Sequence, residues 1–195
     1  TTALLPNGVL THAYTAALTA TGGTPPYTWA VLSGSLPAGV TLNASTGALT
    51  GTPTTVTAYT AVIEVTDFAV QTAARAVSID IFAAASIVTP DPLTPGYTGS
   101  AYFNTLVPAG DEAPYVWAVT AGTLPVGLSL GTSTGILSGT TTGIGASSFT
   151  IGLTGALGST TTKAFGLTVT NVEYRPTDRP VARNQNEGVI FRRVT

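Results

Sequence analysis

The sequence has no cysteine, only one histidine, and charge on just 8% of its 195 residues. Lacking cysteine, it can form no disulfide, thiolate nucleophile or cysteine zinc site, though this absence does not fix a compartment. A nucleophilic triad needs a base and an orienting carboxylate converging on a serine or threonine. His12 is the one candidate base, no nucleophile-elbow motif accompanies it, and it reads as a solvated turn residue ahead of a strand. The formal net charge of −2 provides no field to attract nucleic acid or anionic lipid. Long apolar runs are missing too: Asp80 interrupts the best one, "AVSIDIFAAASIV", so no membrane insertion is expected. No long amphipathic helical pattern occurs. The chain starts at Thr1 with neither Met nor a signal-like stretch, which suits a removed leader or a piece of something longer.

Glycine (22) and proline (13) are plentiful, and they cut many short β-branched runs, the composition of an all-β protein with tight turns. The dominant feature is a repeat. "PPYTWAVLSGSLPAGVTLNASTGALTG" returns as "APYVWAVTAGTLPVGLSLGTSTGILSG", and the two tryptophans, Trp29 and Trp117, lie 88 residues apart. The same offset maps Tyr14 to Tyr102, Pro37 to Pro125, Gly39 to Gly127, Gly47 to Gly135 and Gly51 to Gly139. It continues as apolar alternation, with Ala61, Ile63 and Val65 answering to Phe149, Ile151 and Leu153. Two units follow, 1–85 and 86–171, joined by "AAASIVTPDP", whose prolines favour an extended, stiff connection.

Within a unit, "AYTAALTA" alternates as a half-buried strand. "VTLNASTGALTG" reads as a hairpin turning at 43–47 with Leu42 and Leu49 inward, and "AYTAVIEVTD" and "ARAVSIDIF" as the two longest strands. About six or seven short strands with one apolar face each predict a two-sheet sandwich. Tyr14, Trp29, Tyr102 and Trp117 are assigned to the core, where burial of a large aromatic stabilises by about 1.5–3 kcal/mol.

The stretch "YTAALTATGGTPPYTWAVLSGSLPAGVTLNASTGALTGTP" resembles the immunoglobulin-like repeat of bacterial surface proteins, related to dystroglycan-type cadherin-like domains. The resemblance covers both units. The second departs from the pattern at "AGDEAPYVW" and "GTTTGIGA". It implies tandem extracellular β-sandwiches used as spacer, stalk or adhesion module, without catalytic residues. Related cadherin-like domains hold calcium between domains, which needs several clustered carboxylates. Asp67, Asp91, Asp111 and Glu112 are the acids near the joint, yet Asp67 answers to Gly155, and Asp111 with Glu112 answers to Gly23 and Thr24. They are read as solubilising loop residues, and no metal, cofactor or catalytic set is assigned. "NAS" at 43–45 fits a glycosylation sequon and equally a turn, and turn chemistry is preferred. "GIGASS" lacks the lysine and the strand-to-helix context of a phosphate cradle. Tyr59, Tyr97 and Tyr102 with surface threonines keep glycan binding open, although sandwich aromatics usually belong to the core.

After Asn171 the composition changes. Residues 172–195 carry five of the seven basic side chains and a net charge of +2, against −4 for the rest. Pro176 and Pro180 keep the first half extended. "GVIFRRV" then reads as a short strand with Val189 and Phe191 on one face. The arm either folds back on the second sandwich or, the reading preferred, docks onto a protein partner or a neighbouring copy, adding an edge strand, through Tyr174, Arg175, Arg179, Arg183, Val189, Phe191, Arg192 and Arg193. The expectation is an all-β chain of two tandem immunoglobulin-like sandwiches with an extended C-terminal arm. Its expected function is non-enzymatic and structural or adhesive, in an extracellular filament, appendage or cell-surface layer. A virion decoration or fibre protein and a glycan- or receptor-binding adhesin are the alternatives.

Overall fold

A computed structural model describes residues 3–171; Thr1, Thr2 and the arm residues named above lie outside the described residues. The described residues form strands and turns, with no helix. The first unit holds β1 (Ala3–Leu4), β2 (Gly8–Val9), β3 (Tyr14–Ala17), β4 (Thr28–Gly34), β5 (Val40–Leu42), β6 (Ala48–Gly51), β7 (Ala58–Thr66) and β8 (Thr72–Phe82). The second holds β9 (Ser86–Ile87), β10 (Gly96–Tyr97), β11 (Ala101–Thr105), β12 (Pro108–Ala109), β13 (Val116–Gly122), β14 (Leu128–Leu130), β15 (Ile136–Thr140), β16 (Gly145–Thr154) and β17 (Thr160–Thr170).

Each unit is a two-sheet sandwich. In the first, β4, β7 and β8 pair antiparallel, with β1 and β2 parallel to β8, and β3-β6-β5 forms the facing sheet. The second repeats this with β13, β16, β17 and a parallel β10 against β11-β15-β14. The likeness extends to the irregularities: β4 shifts register between Val31 and Ser33, and β13 does so at the counterpart positions, Val119 and Ala121. A bulge kept at the same place twists both long sheets alike.

Alternate side chains of the long strands supply the interior. Ala61, Ile63, Val77 and Ile79 are buried in the first unit; Phe149, Ile151, Leu153, Phe165 and Leu167 are buried in the second. Trp29 and Trp117 lie between the sheets, each with its backbone N–H bonded to the β5–β6 or β14–β15 turn, at Ala44 O (2.8 Å) and Thr132 O (2.7 Å). The turn glycine lies against the indole. A Cβ on Gly47 would come within 2.8 Å of Trp29, and one on Gly135 within 2.6 Å of Trp117. Both glycines have positive φ, so this tryptophan-on-turn contact requires glycine twice over. In the first hairpin Asn43 Oδ1 accepts the N–H groups of Ser45 and Thr46 at 2.9 and 3.0 Å, the turn chemistry preferred over the sequon. Leu49 is fully buried and Leu42 partly so.

Two short strands precede Tyr14, where the sequence pattern begins only at "AYTAALTA". Pro6 breaks the alternation of 3–9, so the segment runs along β8 as two brief pieces, β1 and β2. Tyr14 ties it down, its hydroxyl donating to Pro6 O at 2.9 Å, and Tyr102 repeats the bond to Thr94 O at 3.1 Å. Burial pushes the Tyr14 phenol up to about 12. Both tyrosines are buried.

The joint also differs from expectation. Within "AAASIVTPDP", Ser86–Ile87 is strand β9, antiparallel to β12, and Ala85, Ile87 and Leu93 are buried in the second core. The segment alternates buried and exposed residues from 85 to 89, so it is an integral strand of the second sandwich. Only residues 83 and 84 separate the end of β8 from that core.

Candidate functional site

The end of the second sandwich that receives the chain from the first is built around one carboxylate. Asp111, in the loop after β12, is 5% exposed and sits at φ 47°. Its Oδ1 accepts the N–H groups of Glu112 (2.6 Å) and Leu157 (3.0 Å), and its Oδ2 accepts the N–H of Ser159 (3.0 Å). The Ser159 hydroxyl also donates to Oδ2 in a short hydrogen bond and accepts the N–H of Ala85 at 2.8 Å. Asp111 N–H donates to Ala83 O at 2.6 Å. The connecting chain is thus held from both sides, its carbonyl by the Asp111 backbone and its amide through Ser159 on the Asp111 carboxylate. Asn7 adds a bridge from the first sandwich: its Nδ2 donates to Glu112 Oε2 at 3.1 Å, and its Oδ1 accepts Asp80 N–H at 3.4 Å.

Burial works against ionisation of Asp111, but the Ser159 hydroxyl and the three backbone N–H groups outweigh it and hold the carboxyl below its ordinary range. A depressed folded-state pKa contributes stability above the unfolded value of about 3.9 and loses it as pH falls through the folded value. We therefore expect the second sandwich to weaken on acidification below about pH 4. The Asp111→Asn variant should lose much of that dependence when urea unfolding is compared at pH 6 and pH 3.

The first sandwich has the same carboxylate site with the carboxylate supplied from the opposite loop. There Asp67, in the β7–β8 turn, accepts the N–H of Thr24 at 2.8 Å and of Gln71 at 2.8 Å. At the 88-residue offset, Thr24 is the counterpart of Glu112 and Gln71 of Ser159, so the same backbone amides bind both carboxylates. Asp67, by contrast, is the counterpart of Gly155, and Asp111 of Gly23. Each glycine makes room for the aspartate opposite: a Cβ on Gly23 would lie 2.7 Å from Asp67 Oδ2, and one on Gly155 2.3 Å from Asp111 Cγ. The hydrogen bonds from Thr24 and Gln71 lower the Asp67 pKa. One structural role is therefore filled from opposite loops in the two copies. Position by position, Asp67 and Asp111 each face a glycine and look unrelated; taking 23 and 67 with 111 and 155 as pairs exposes the exchange.

The acids near the joint are each bonded separately. Asp91 Oδ1 accepts Gly166 N–H at 2.7 Å, and Glu112 pairs with Asn7. Among the described residues no group of three or more His, Cys, Asp or Glu side chains is gathered as metal ligands. His12 is exposed and its Nδ1 donates to Leu10 O at 3.0 Å. The three tyrosines weighed as a glycan face are not brought together: Tyr59 belongs to the first unit and packs partly against its core, Tyr102 is buried, and only Tyr97 is exposed. "GIGASS" lies across the start of β16.

A family model described as "Putative Ig domain" matches residues 3–82 and again 85–170. The chain belongs to this family. Its Ig domains share their fold with the titin fragment I67–I69: an E-to-A variant aligns at TM-score 0.54 and 15% identity, over 86% of this chain and 63% of that one. A second structure of that I-band fragment gives 0.51 at 14% identity, over 86% and 64%. A "putative alpha-galactosidase" of Bacteroides fragilis aligns at TM-score 0.40 and 26% identity, over 45% of this chain and 18% of that one. The chain spans less than two thirds of the length of each of these structures. No curated protein sequence matches it. The fold is that of tandem immunoglobulin-like β-sandwiches, a class that is generally non-catalytic, and no helix among the described residues is long and apolar enough to cross a membrane.

Proposed function

We propose that the chain is a non-enzymatic structural or adhesive module of an extracellular or cell-surface assembly. Its sandwiches would act as a spaced pair, and residues 172–195 would dock them to a protein partner or to another copy. The observation that supports this most is the junction: backbone and side-chain hydrogen bonds at 83–85 fix the second Ig domain directly to the end of the first. Such a joint suits a load-bearing spacer, since a two-residue crossing held at both ends resists bending better than a flexible linker. The polar groups there are committed to the joint itself: Asp111 and Ser159 bond the backbone and each other, and Glu112 bonds Asn7. The opposite charges of body and arm favour association between them. Sedimentation velocity on the full chain and on a chain ending at residue 171 tests the docking role. Assembly should be lost on truncation, and an unchanged mass would defeat it.

A further inference from the structure

Among the described residues each long sheet ends on an open strand, β4 in the first sandwich and β13 in the second. β4 is seven residues long, carries no charge, and is exposed everywhere except at Trp29. Such an edge offers backbone N–H and C=O groups to another chain. Trp29 turns its N–H away from β7, to Ala44 O at 2.8 Å, so by antiparallel alternation Val31 also directs its backbone groups off the edge. The bulge between Val31 and Ser33 re-aims the side chain inside it, and Leu32 is 57% exposed beside a Val31 that is 41% exposed.

The two edges differ in what stands beside them. At the 88-residue offset Leu32 answers to Thr120, and Glu64 answers to Gly152. Thr120 leans over Gly152, where an added Cβ would lie 2.7 Å from its Cγ2, and the shared backbone sets Leu32 beside Glu64 in the same way. Glu64 lies on β7 directly across from Ala30 of β4 and is half-buried. Asp67, Asp91, Asp111 and Glu112 each accept a hydrogen bond; the Glu64 carboxylate accepts none and forms no ion pair among the described residues. The first edge therefore combines two exposed apolar side chains with a carboxylate, where the second offers threonine and glycine.

We infer that the β4 edge is the docking site for residues 188–194 of a neighbouring copy. The inference rests on the reading that the arm docks, and it names the surface. "GVIFRRV" brings what this edge asks for, an uncharged alternating run followed by two arginines. As an added strand it sets Val189 and Phe191 toward Val31, and Ile190 and Arg192 toward Leu32 and Glu64. Two strand spacings, about 10 Å, then separate its backbone from β7, with only Ala30 between Arg192 and Glu64. A half-buried carboxylate gains more from a guanidinium than a fully solvated one does. The chain's own β4 is the less accessible target. β17 runs from the joint, where Ser159 holds Ala85, to the far end of the second sandwich, so the arm would have to return past that whole sandwich. A neighbouring copy imposes no such return.

Because the chain has no cysteine, introduced thiols report the site directly. Chains carrying Leu32→Cys, mixed with chains carrying Ile190→Cys, should form disulfide-linked pairs on mild oxidation. The yield should be about tenfold above that of Thr120→Cys mixed with Ile190→Cys. In sedimentation velocity, Glu64→Arg and Leu32→Lys should each weaken assembly of the full chain about tenfold, and adding Arg192→Glu should bring the Glu64→Arg protein back to within about threefold of the parent. Positions 32 and 120 are exposed, and thermal melting of each variant checks that it folds. Equal cross-linking at 32 and 120 would overturn this site, as would assembly that ignores both edge variants yet disappears on truncation at 171; either result leaves the docking reading standing. In a double variant, Leu32→Cys with Ile190→Cys, a link formed only within one chain would also overturn it, making the chain's own arm the occupant. Assembly that survives truncation would overturn the docking reading itself, and this site with it.

Discussion

Replacing Trp117 with alanine is expected to cost the second sandwich about 4 kcal/mol, the range for truncating a buried large aromatic. Its side chain is fully enclosed among Leu106, Leu137, Phe149, Ile151 and Leu153 and pressed against the turn at Gly135. Truncation removes the contact that joins the two sheets and leaves a cavity whose walls, long paired strands, cannot close in. The counterpart Trp29→Ala should cost less, about 3 kcal/mol, because Trp29 is 9% exposed where Trp117 is 2%. The two variants also separate the transitions, since each retains a single tryptophan. In urea, Trp29 fluorescence in the Trp117→Ala protein should keep the wild-type midpoint of the first sandwich, while circular dichroism shows the second unfolding earlier. A single shared transition moved by both substitutions would mean that the sandwiches fold as one unit through the 83–85 joint.

The architecture was readable because the residues that build it act locally or repeat. Period-2 alternation in "AYTAVIEVTD" and "ARAVSIDIF" marks β7 and β8, and a tryptophan, a turn glycine and a tyrosine each recur at one offset. The first-strand segments were not readable. Pro6 and Gly8 interrupt 3–9, and Pro90 and Pro92 make "SIVTPDP" look like a linker, although Ile87 and Thr89 within it are buried in the second sandwich. Prolines mark a break in hydrogen bonding, and that break occurs in edge strands as well as in connections. The carboxylate site escaped because its conserved quantity is a pair. Gly23 with Asp67 and Asp111 with Gly155 fill the same volume from opposite sides, and no single position carries that information.

That pairing gives the second large effect, and it concerns rescue. Asp111→Gly should cost about 3 kcal/mol, because three backbone N–H groups and the Ser159 hydroxyl lose a charged acceptor in a buried site. Gly155→Asp alone should cost at least about as much, since it forces a second carboxylate into occupied space, with its Cβ 2.3 Å from Asp111 Cγ. Combined, the two substitutions reproduce the arrangement of the first sandwich. The carboxylate then enters from the β16–β17 turn and meets the amides of Glu112 and Ser159, as Asp67 meets Thr24 and Gln71. Neither backbone resists the change: Asp111 already has a positive φ, where glycine is at ease, and Gly155 does not. The double variant should return to within about 1 kcal/mol of the parent, a strongly non-additive cycle between residues far apart in sequence and touching in space. Urea unfolding of the four proteins measures it. Simple addition of the two losses would show that the exchanged aspartates are unrelated, and that the matching hydrogen bonds in the two Ig domains arose without coupling between the paired positions.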